Sequence, residues 1–451
     1  MSAETAALRG AMTGPVLGPG DDGWDAARQA WNLAFDRSPS LVAQPASAED
    51  VVAILDFARK QRLRVAPQTT GHNAGALGPL DGAILVTTAG LGGVAVDAEA
   101  ATARVGAGVL WGEVAAAADP HGLFPLAGSS PRVGVVGYSL GGGLGFLGRL
   151  HGVAANHVTA VEVVTPDGRL RRATTNDEPD LFWALRGAAA NYGVVTAVEF
   201  RLFPHGHVTA GMFTWPEERI SEVLEAWHAW TATAPDAITT SFRIMHLPPL
   251  DELPPFLSGR TLAVLDGVFA GPDDDAERSL AALRKLAPEV DTWGPCSPAQ
   301  LDGLHLDPPG PLPGVGTSML LDDPDRDALA RFVAAVPSSG PLIFGELRHM
   351  GGALAHAPTD AGAVGSLPGR FNMSAIADGT PADPAVQPAL DALDNAMRPA
   401  ATGAMVPTLV ERPTDPAELW APDVLARLRR IRAEVDPDGL MLACHPVPLQ
   451  P

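Results

Sequence analysis

The sequence predicts an α+β protein built in two parts, and three features of the chain support this prediction. As far as about residue 204, short apolar strands alternate with helical patterns and end in Gly-rich turns. Beyond that point the predicted strands and helices are longer and have the pattern of antiparallel units, which indicates a second domain. The length of 451 residues, with 46% hydrophobic side chains, is sufficient for two or three cores.

The first part opens with a helix followed by a strand. Ser47 begins a capping pattern, and apolar residues at helical spacing follow it. Those apolar residues are Val51, Ile54, Leu55 and Ala58. Residues 63–66 then predict a buried strand. Further predicted elements of this part are strands at 83–86, 102–105 and 158–164 and a helix at 110–118.

The second part contains longer elements, which predict an antiparallel sheet covered by helices. The predicted strands are 208–215, 238–245, 262–269, 342–349 and 371–376, and the predicted helices are 217–234 and 274–286. A last helix at 423–435 and a last strand at 440–443 complete the chain.

A Gly-rich turn with a single histidine follows the strand at 63–66. Its sequence, APQTTGHNAGALG at 66–78, combines small residues with consecutive backbone amides, which can form a concave site for an anion. We interpret it as a diphosphate cradle, whereas the simpler alternative is an ordinary turn. The candidate binding residues are Thr70, Gly71, His72, Asn73, Ala74 and Gly75.

A second Gly-rich stretch at 128–152 contains two motifs that suggest other functions. GYSLG at 137–141 has the spelling of a serine hydrolase elbow, with Ser139 as nucleophile and His445 and Asp436 downstream. The glycines that follow disfavour the stable helix which this motif requires. GLGFLG at 143–148 matches a dinucleotide fingerprint, but no strand leads into it. A serine hydrolase is therefore the alternative enzyme class.

Composition restricts the partners and the compartment. The net charge is −21, with 31 basic and 52 acidic residues, which disfavours binding to nucleic acid. Two cysteines are too few for a disulfide framework or a cysteine-rich metal site, so no metal is predicted. No apolar run is long enough to span a membrane, and the first residues lack the pattern of a signal peptide. We expect a cytoplasmic protein without a membrane partner.

The order of the motifs resembles a known family. The histidine turn precedes VGVVGYSLGGGLG at 133–145, GVAANHVTAVEVVTPDG at 152–168 and LFWALRGAAANYGVVTAVEFRLFP at 181–204. This arrangement is similar to that of the FAD-linked oxidases of the berberine bridge enzyme-like family, in the vanillyl-alcohol-oxidase or PCMH-type FAD-binding superfamily. The resemblance covers residues 30–210, resumes at 436–447 and is faint between 210 and 400. It implies a two-lobed FAD-binding domain at 1–206, a substrate-binding domain at 207–400 and a returning segment at 401–451.

The resemblance also implies an FAD whose 8α-methyl group is linked to His72. Many relatives have a second link through a cysteine, but Ser130 stands at that place, so one link is expected. Val133 would lie over the flavin face near the point of O2 attack, and His445 would support the ring. The other implied FAD-binding residues are Gly134, Gly137, Gly141, Gly142, Gly145 and Val195.

The implied reaction is hydride transfer from a small-molecule substrate to flavin N5, followed by reoxidation with O2 to hydrogen peroxide. Relatives act on alcohols, sugars, alkaloids and polyketide intermediates, which suggests alcohol or sugar oxidation or a tailoring step in secondary metabolism. Relatives also carry a polar Tyr-x-Asn-Tyr segment, which reads GAMVPT at 403–408 here. A flavin-binding protein with lost or non-redox activity is therefore a third hypothesis.

The predicted strand at 342–349 supplies candidate catalytic residues. Its alternation places Glu346 and Arg348 on one face, which we expect to look onto the flavin together with Asn372 and Ser374 of the next strand. Glu346 is the candidate base, poised by partial burial, and Arg348 would orient a substrate oxygen. The alternative is that these two residues form an ion pair. Tyr138 is the next candidate for catalysis.

Overall fold

The computed structural model describes residues 3–249, 251, 255, 257–308 and 310–449. Within these residues the strands form three sheets, of which two lie in the N-terminal half and one in the C-terminal half. The mixture of helices with largely antiparallel sheets confirms the α+β fold.

The first sheet has a parallel core. Its lobe contains α1 (Ala3–Ala11), β1 (Val16–Leu17), α2 (Trp24–Arg28), β2 (Leu41–Ala43), α3 (Ala48–Gln61), β3 (Arg64–Gln68) and β4 (Ala83–Thr87). The strand order is β1-β2-β4-β3, with β1 antiparallel to β2 and the other pairs parallel. The Ser47 side chain accepts from the Asp50 backbone N–H and caps α3, as its sequence predicts. This lobe places the histidine turn directly after β3.

The second sheet is antiparallel throughout. Its lobe contains β5 (Val94–Asp97), β6 (Thr102–Gly106), α4 (Trp111–Ala118), α5 (Val135–Leu140), α6 (Gly148–His151), β7 (Val158–Val164), β8 (Leu170–Ala173), α7 (Pro179–Ala188) and β9 (Val194–Arg201). The strand order is β5-β6-β9-β7-β8. The second Gly-rich stretch forms α5, α6 and the loops around them.

The third sheet is also antiparallel. Its part of the chain contains β10 (Val208–Pro216), α8 (Ile220–Thr231), β11 (Ile238–His246), β12 (Thr261–Phe269), α9 (Asp273–Arg284), β13 (Val290–Asp291), β14 (Gly294–Cys296), β15 (Gly314–Leu321), α10 (Arg326–Ala335), β16 (Leu342–His349), β17 (Phe371–Asp378) and α11 (Val386–Met397). The order is β13-β10-β12-β11-β16-β17-β15, and β14 pairs with β10.

The two faces of the third sheet differ in chemistry. On one face, fully buried apolar side chains such as Phe242 and Leu347 pack against the helices, among them Trp227 of α8 and Phe332 of α10. The other face carries buried polar and charged side chains, namely Ser241, Arg243, Asp266, Glu346, Arg348 and Asn372. The assignment of Glu346 and Arg348 to one face of β16, predicted from the alternation of its residues, is therefore correct.

Arg149 on α6 fastens the N-terminal half to the third sheet. Its guanidinium is 4% exposed and donates to the carbonyl of Ile238 at 2.8 Å. It also lies 2.7 Å from His349 Nε2 and 3.1 Å from the Asp236 carboxylate. Burial, aided by the nearby Arg149 charge, lowers the pKa of His349 to about 2, so this imidazole is a neutral acceptor. These bonds fix the Gly-rich loop against the sheet.

The C-terminal segment packs onto both lobes, since α13 contacts α7 of the second lobe and residues near Met441 bond to β3 of the first. Its helices are α12 (Pro416–Leu419) and α13 (Pro422–Val435), and the latter is the helix predicted at 423–435. The strand predicted at 440–443 is wrong, because the structure has only one bridge there, between Val65 and Met441. The carboxylate of Asp436 accepts hydrogen bonds from the backbone N–H groups of Leu440 and Met441. These two N–H groups are therefore not available for pairing with a neighbouring strand. Among the helices that the structure describes, none is both long and apolar enough to cross a membrane.

Candidate active site

The histidine turn holds His72 in a fixed orientation. Gly71 has φ of +80°, and a Cβ there would lie 2.7 Å from the Cβ of Ala30, so only glycine fits. His72 Nδ1 is 2.8 Å from Thr70 Oγ1. The imidazole stacks on the Trp31 ring with centroids 4.6 Å apart and planes 13° apart. Nothing in the sequence marks Trp31 for this role, since it lies outside every motif.

Burial lowers the pKa of His72 to about 4, although Asp307 acts in the opposite direction. The imidazole is therefore neutral at physiological pH. A neutral imidazole keeps an unprotonated ring nitrogen, which is the form that can act as a nucleophile toward an electron-poor carbon. The contacts with Trp31 and Thr70 hold this nitrogen in place.

The remaining residues of the turn connect it to the C-terminal segment. Asn73 Nδ2 lies 3.5 Å from His445 Nε2, and Ala74 and Gly75 form a short 3-10 turn. At Gly75 a Cβ would be 2.1 Å from the carbonyl oxygen of Glu411. The turn is thus packed tightly on its outer side, where no larger residue could replace this glycine.

The second Gly-rich segment lies against the histidine turn. At Gly134 a Cβ would be 2.7 Å from the Thr69 side chain, so the two segments touch here. Gly137, on α5, is exposed, and no atom of the described residues lies within 4 Å of its Cβ position. The backbone of α5 therefore presents an open surface at Gly137. Ser130 and Val133 precede this helix and are partly exposed.

The later glycines of this segment serve close packing. At Gly141, Gly142 and Gly145 a Cβ would lie 2.6 Å from Thr408, 3.0 Å from Val364 and 2.0 Å from the Ala127 carbonyl oxygen, respectively. Gly142 also has φ of +116°. These three glycines shape the loop, whereas Gly137 is the one that leaves its outer surface open.

His445 reaches the same region from the C-terminal segment. Its Nε2 is 2.9 Å from the Pro407 carbonyl oxygen, and its own carbonyl accepts from Asn191 Nδ2 at 3.0 Å. Burial lowers the pKa of His445, so the ring is neutral. Val195 is buried near the start of β9, where it pairs with Val163.

Buried polar atoms that lack hydrogen-bond partners indicate whether FAD fits this region. In the part of the chain that the structure describes, Asn73 Oδ1, His445 Nδ1 and Tyr138 Oη are buried without a hydrogen-bond partner. Such atoms are costly to leave unpaired. A ligand with its own donors and acceptors would satisfy them, and the open backbone at Gly137 gives it room. The residues present therefore fit a bound FAD.

Glu346 and Arg348 lie side by side on the polar face of the third sheet. Arg348 Nε donates to Glu346 Oε1 at 2.7 Å and to Ser241 Oγ at 3.2 Å. Ser374 Oγ donates to Glu346 Oε2 at 3.3 Å, as the predicted pairing with β17 allows. The ion pair that the sequence left open as an alternative is therefore present.

The expectation that burial poises Glu346 as a base is wrong. Burial would raise the pKa of this carboxyl, but the Arg348 charge and the contact with His305 hold it well below its usual range. Glu346 is thus ionised and held by its partners at neutral pH. It is a weak proton acceptor, and its main effect is to fix the guanidinium of Arg348.

Three further residues extend this pair into a buried charge network. His305 Nδ1 is 2.8 Å from Asp266 Oδ2, Arg243 pairs with the same carboxylate, and His305 Nε2 lies 3.7 Å from Glu346 Oε2. Burial and Arg243 act to lower the pKa of His305, yet Asp266 and Glu346 raise it to about 8. His305 is therefore a cation at neutral pH. We call these five residues, Arg243, Asp266, His305, Glu346 and Arg348, the charge network.

Tyr138 joins the Gly-rich loop to the charge network. Its phenol is buried, which raises its pKa, while the charge of Arg348 acts in the opposite direction. A Cβ at Gly145 would lie 2.9 Å from Tyr138 Oη, and the next side chain, Phe146, meets the His305 ring edge-on at 6.1 Å. The candidate active site thus lies between the Gly-rich segments and the polar face of the third sheet.

The serine hydrolase alternative is not supported by the geometry. Ser139 is 2% exposed inside α5, and a loop rather than a strand leads into this helix. The hydrogen bonds of His445 go to Pro407 and Asn73, and those of Asp436 go to Arg432 and to backbone amides. The described residues therefore contain no assembled Ser-His-Asp triad at this position.

Comparison with known proteins defines the class. Residues 39–174 match the family model described as an FAD binding domain, so the chain contains such a domain. The chain is 34% identical to (R)-6-hydroxynicotine oxidase of Paenarthrobacter nicotinovorans over 205 residues. These residues make up 45% of this chain and 45% of the relative. The match thus spans about half the length of this curated relative.

Solved structures extend the similarity to the whole chain. BBE-like 1 of Physcomitrella patens superposes with a TM-score of 0.86 at 20% identity, covering 100% of both chains. Glucooligosaccharide oxidase of Acremonium strictum, which carries a 6-S-cysteinyl, 8α-N1-histidyl FAD, superposes with a TM-score of 0.84 at 20% identity, again over 100% of both chains. The chain therefore has the PCMH-type fold of the FAD-linked oxidases related to berberine bridge enzyme, as its motifs predict.

Proposed function

We propose that this protein is an FAD-dependent oxidase that removes a hydride from a small organic substrate and passes the electrons to O2. Three observations carry the proposal: a neutral, stacked His72, a Gly-rich segment that touches its turn and leaves the backbone open at Gly137, and a buried charge network on the third sheet. The names of the similar proteins, a hydroxynicotine oxidase and a glucooligosaccharide oxidase, support small organic or sugar substrates.

Bound FAD would supply a hydride acceptor at N5, and the protein would supply position and charge. The neutral His72 imidazole would hold the flavin through a covalent bond, and Ser130 allows one link only. Asn73 Oδ1, His445 Nδ1 and Tyr138 Oη would contact polar groups of the flavin or substrate. These contacts would hold the reacting C–H bond at a fixed distance from the acceptor.

The charge network would orient the substrate on the opposite side. Arg348 is held by Glu346 and Ser241, so its positive charge keeps one orientation without reorganisation during the reaction. A substrate oxygen or nitrogen with a lone pair would be drawn to this side of the site. The second cation, His305, adds to the positive field at neutral pH.

The protein as purified is expected to be yellow and to release hydrogen peroxide in air when a suitable substrate is oxidised. Cyclic amines and oligosaccharides are the two substrate panels to test, with peroxide measured by a coupled peroxidase assay. Ser139→Ala should leave peroxide release within about twofold of the parent, because Ser139 has no chemical role in the proposal. A yellow protein that never releases peroxide or reduces its flavin would instead favour a flavin-binding protein without redox activity.

A further inference from the structure

The C-terminal segment 407–412 crosses the candidate active site from the histidine turn to the third sheet. The Pro407 carbonyl meets His445, and the Thr408 side chain packs on Gly141. Farther along, the carbonyl oxygen of Glu411 covers Gly75 and Arg412 Nη1 reaches Thr317 Oγ1 at 3.5 Å. The segment is therefore in contact with both walls of the site.

The carboxyl group of Glu411 lies over β15. If Gly316 carried a Cβ, that atom would be 3.2 Å from Glu411 Oε2, so the carboxyl sits directly above this glycine. Gly316 pairs with Ile376 of β17, two residues beyond Ser374, which pairs with Glu346 of β16. Residues two apart on a strand share a face. Glu411 thus covers the polar face of the sheet, the same face that carries Glu346 and Arg348.

In the described part of the chain, no charged partner holds this carboxyl group. The structure gives its oxygens no hydrogen bond or ion pair within the described residues. The charged or titratable groups on the neighbouring elements are Arg412 in its own segment, His72 in the turn, and Glu346 and Arg348 on the same face of the sheet. Asp394 of α11 bonds to Thr317, on the other face. Glu411 is half-buried, and this burial, without a charged partner among the described residues, raises the pKa of its carboxyl to about 7. Glu346, in contrast, is paired and firmly ionised.

We infer that Glu411 is the residue that accepts the substrate proton, and this inference rests on the proposed function. The substrate carbon would carry an N–H or O–H group. Its N–H or O–H bond breaks and the proton passes to a Glu411 oxygen, while the C–H bond breaks and its electron pair passes to FAD as a hydride. A C=N or C=O bond forms between the same two substrate atoms, and the protonated Glu411 returns its proton to water.

The first test follows reduction of bound FAD by substrate without oxygen, as a function of pH. The parent rate should rise with pH through about 7, as Glu411 becomes ionised. Glu411→Gln should reduce the rate at pH 8 by about 10²-fold or more and remove the rise. Glu411→Asp should recover part of the rate together with a pH-dependent rise. Glu418→Gln, an exposed change on α12 shortly after this segment, is the matched control and should match the parent.

The second test uses thermal unfolding without substrate. A carboxyl whose folded pKa is raised destabilises the folded state as pH rises from its unfolded value, near 4.3, to about 7. The melting temperature of Glu411→Gln minus that of the parent should therefore be higher at pH 8 than at pH 5. Glu418→Gln should show no such change.

The outcomes separate the two proposals. If the parent reduces its FAD and Glu411→Gln does so at the same rate with the same pH profile, the role of Glu411 is refuted and the oxidase function stands. If the parent FAD is reduced by no member of either substrate panel, the proposed function fails and the inference fails with it.

Discussion

His72→Ala is expected to abolish covalent attachment of the flavin. The neutral imidazole is the one nucleophile of the histidine turn, and Trp31 and Thr70 hold it in a single orientation. Ser130 offers no second link of the kind a cysteine would make. The intact mass of the variant should equal that of the bare chain, and denaturation should release all of its flavin into solution. Loss of the link should also lower the rate of flavin reduction by tenfold or more.

An exposed histidine supplies the control for this variant. His121 ends a short 3-10 turn on the surface, so His121→Ala should keep the adduct and the parent rate. Persistence of a flavin adduct in His72→Ala would contradict the assignment and move the search to another nucleophile.

Glu346→Gln is expected to cost about 3–5 kcal/mol of folding stability, because it removes one member of a buried charge network and leaves its partners uncompensated. Arg348 would lose its carboxylate, and the cation His305 would be left with Asp266 alone. Both Glu346 and His305 are nearly inaccessible to solvent, so water cannot replace the lost charge. The melting temperature should fall by several degrees, and binding of substrate oxygen or nitrogen should weaken with the loss of Arg348 orientation.

The contribution of the network depends on pH in two directions. The pKa of Glu346 is lowered in the folded state, so its stabilisation is present above about pH 4.3 and is lost as the pH falls further. The pKa of His305 is raised to about 8, so its stabilisation is complete below about pH 6.5 and is lost as the pH rises through 8. The cost of Glu346→Gln should therefore be largest between about pH 4.5 and 6.5.

A surface carboxylate gives the matched comparison. Glu225 pairs with Arg326 in an exposed ion pair, so Glu225→Gln should change stability by less than about 1 kcal/mol. Equal melting temperatures for the parent and Glu346→Gln throughout this pH range would show that the network does not stabilise the fold.

The sequence predicts most of the fold because many elements carry local signals. The cap at Ser47 and the apolar spacing after it define α3, and the alternation in 342–349 defines both the extent and the faces of β16. The Gly-rich turns mark where the backbone must approach other groups closely. These signals act over a few residues, so they survive without tertiary information.

Local signals fail to describe two segments near the site. β15 has the sequence GVGTSMLL, whose glycines and serine disfavour a strand, and tertiary pairing with β17 forms it nevertheless. At 440–443 the apolar pattern predicts a strand, but the carboxylate of Asp436 binds the amides that a ladder would need. Both differences come from contacts between residues that local patterns do not report.

The electrostatics of the site were less predictable than its backbone. Alternation places Glu346 and Arg348 on the correct face. The pKa of Glu346, however, also depends on His305, which lies in a loop that is distant from β16 in the sequence. Trp31 reaches His72 in the same way. The raised pKa of Glu411 arises from burial alone, and burial of a loop residue is set by tertiary packing.

Acid precipitation of the purified parent protein, followed by intact mass measurement, tests the central claim most directly. We expect a yellow pellet, a mass equal to the chain plus one flavin, and the added mass on the peptide that contains His72. A colourless pellet of unmodified mass, with no flavin in the supernatant, would contradict it.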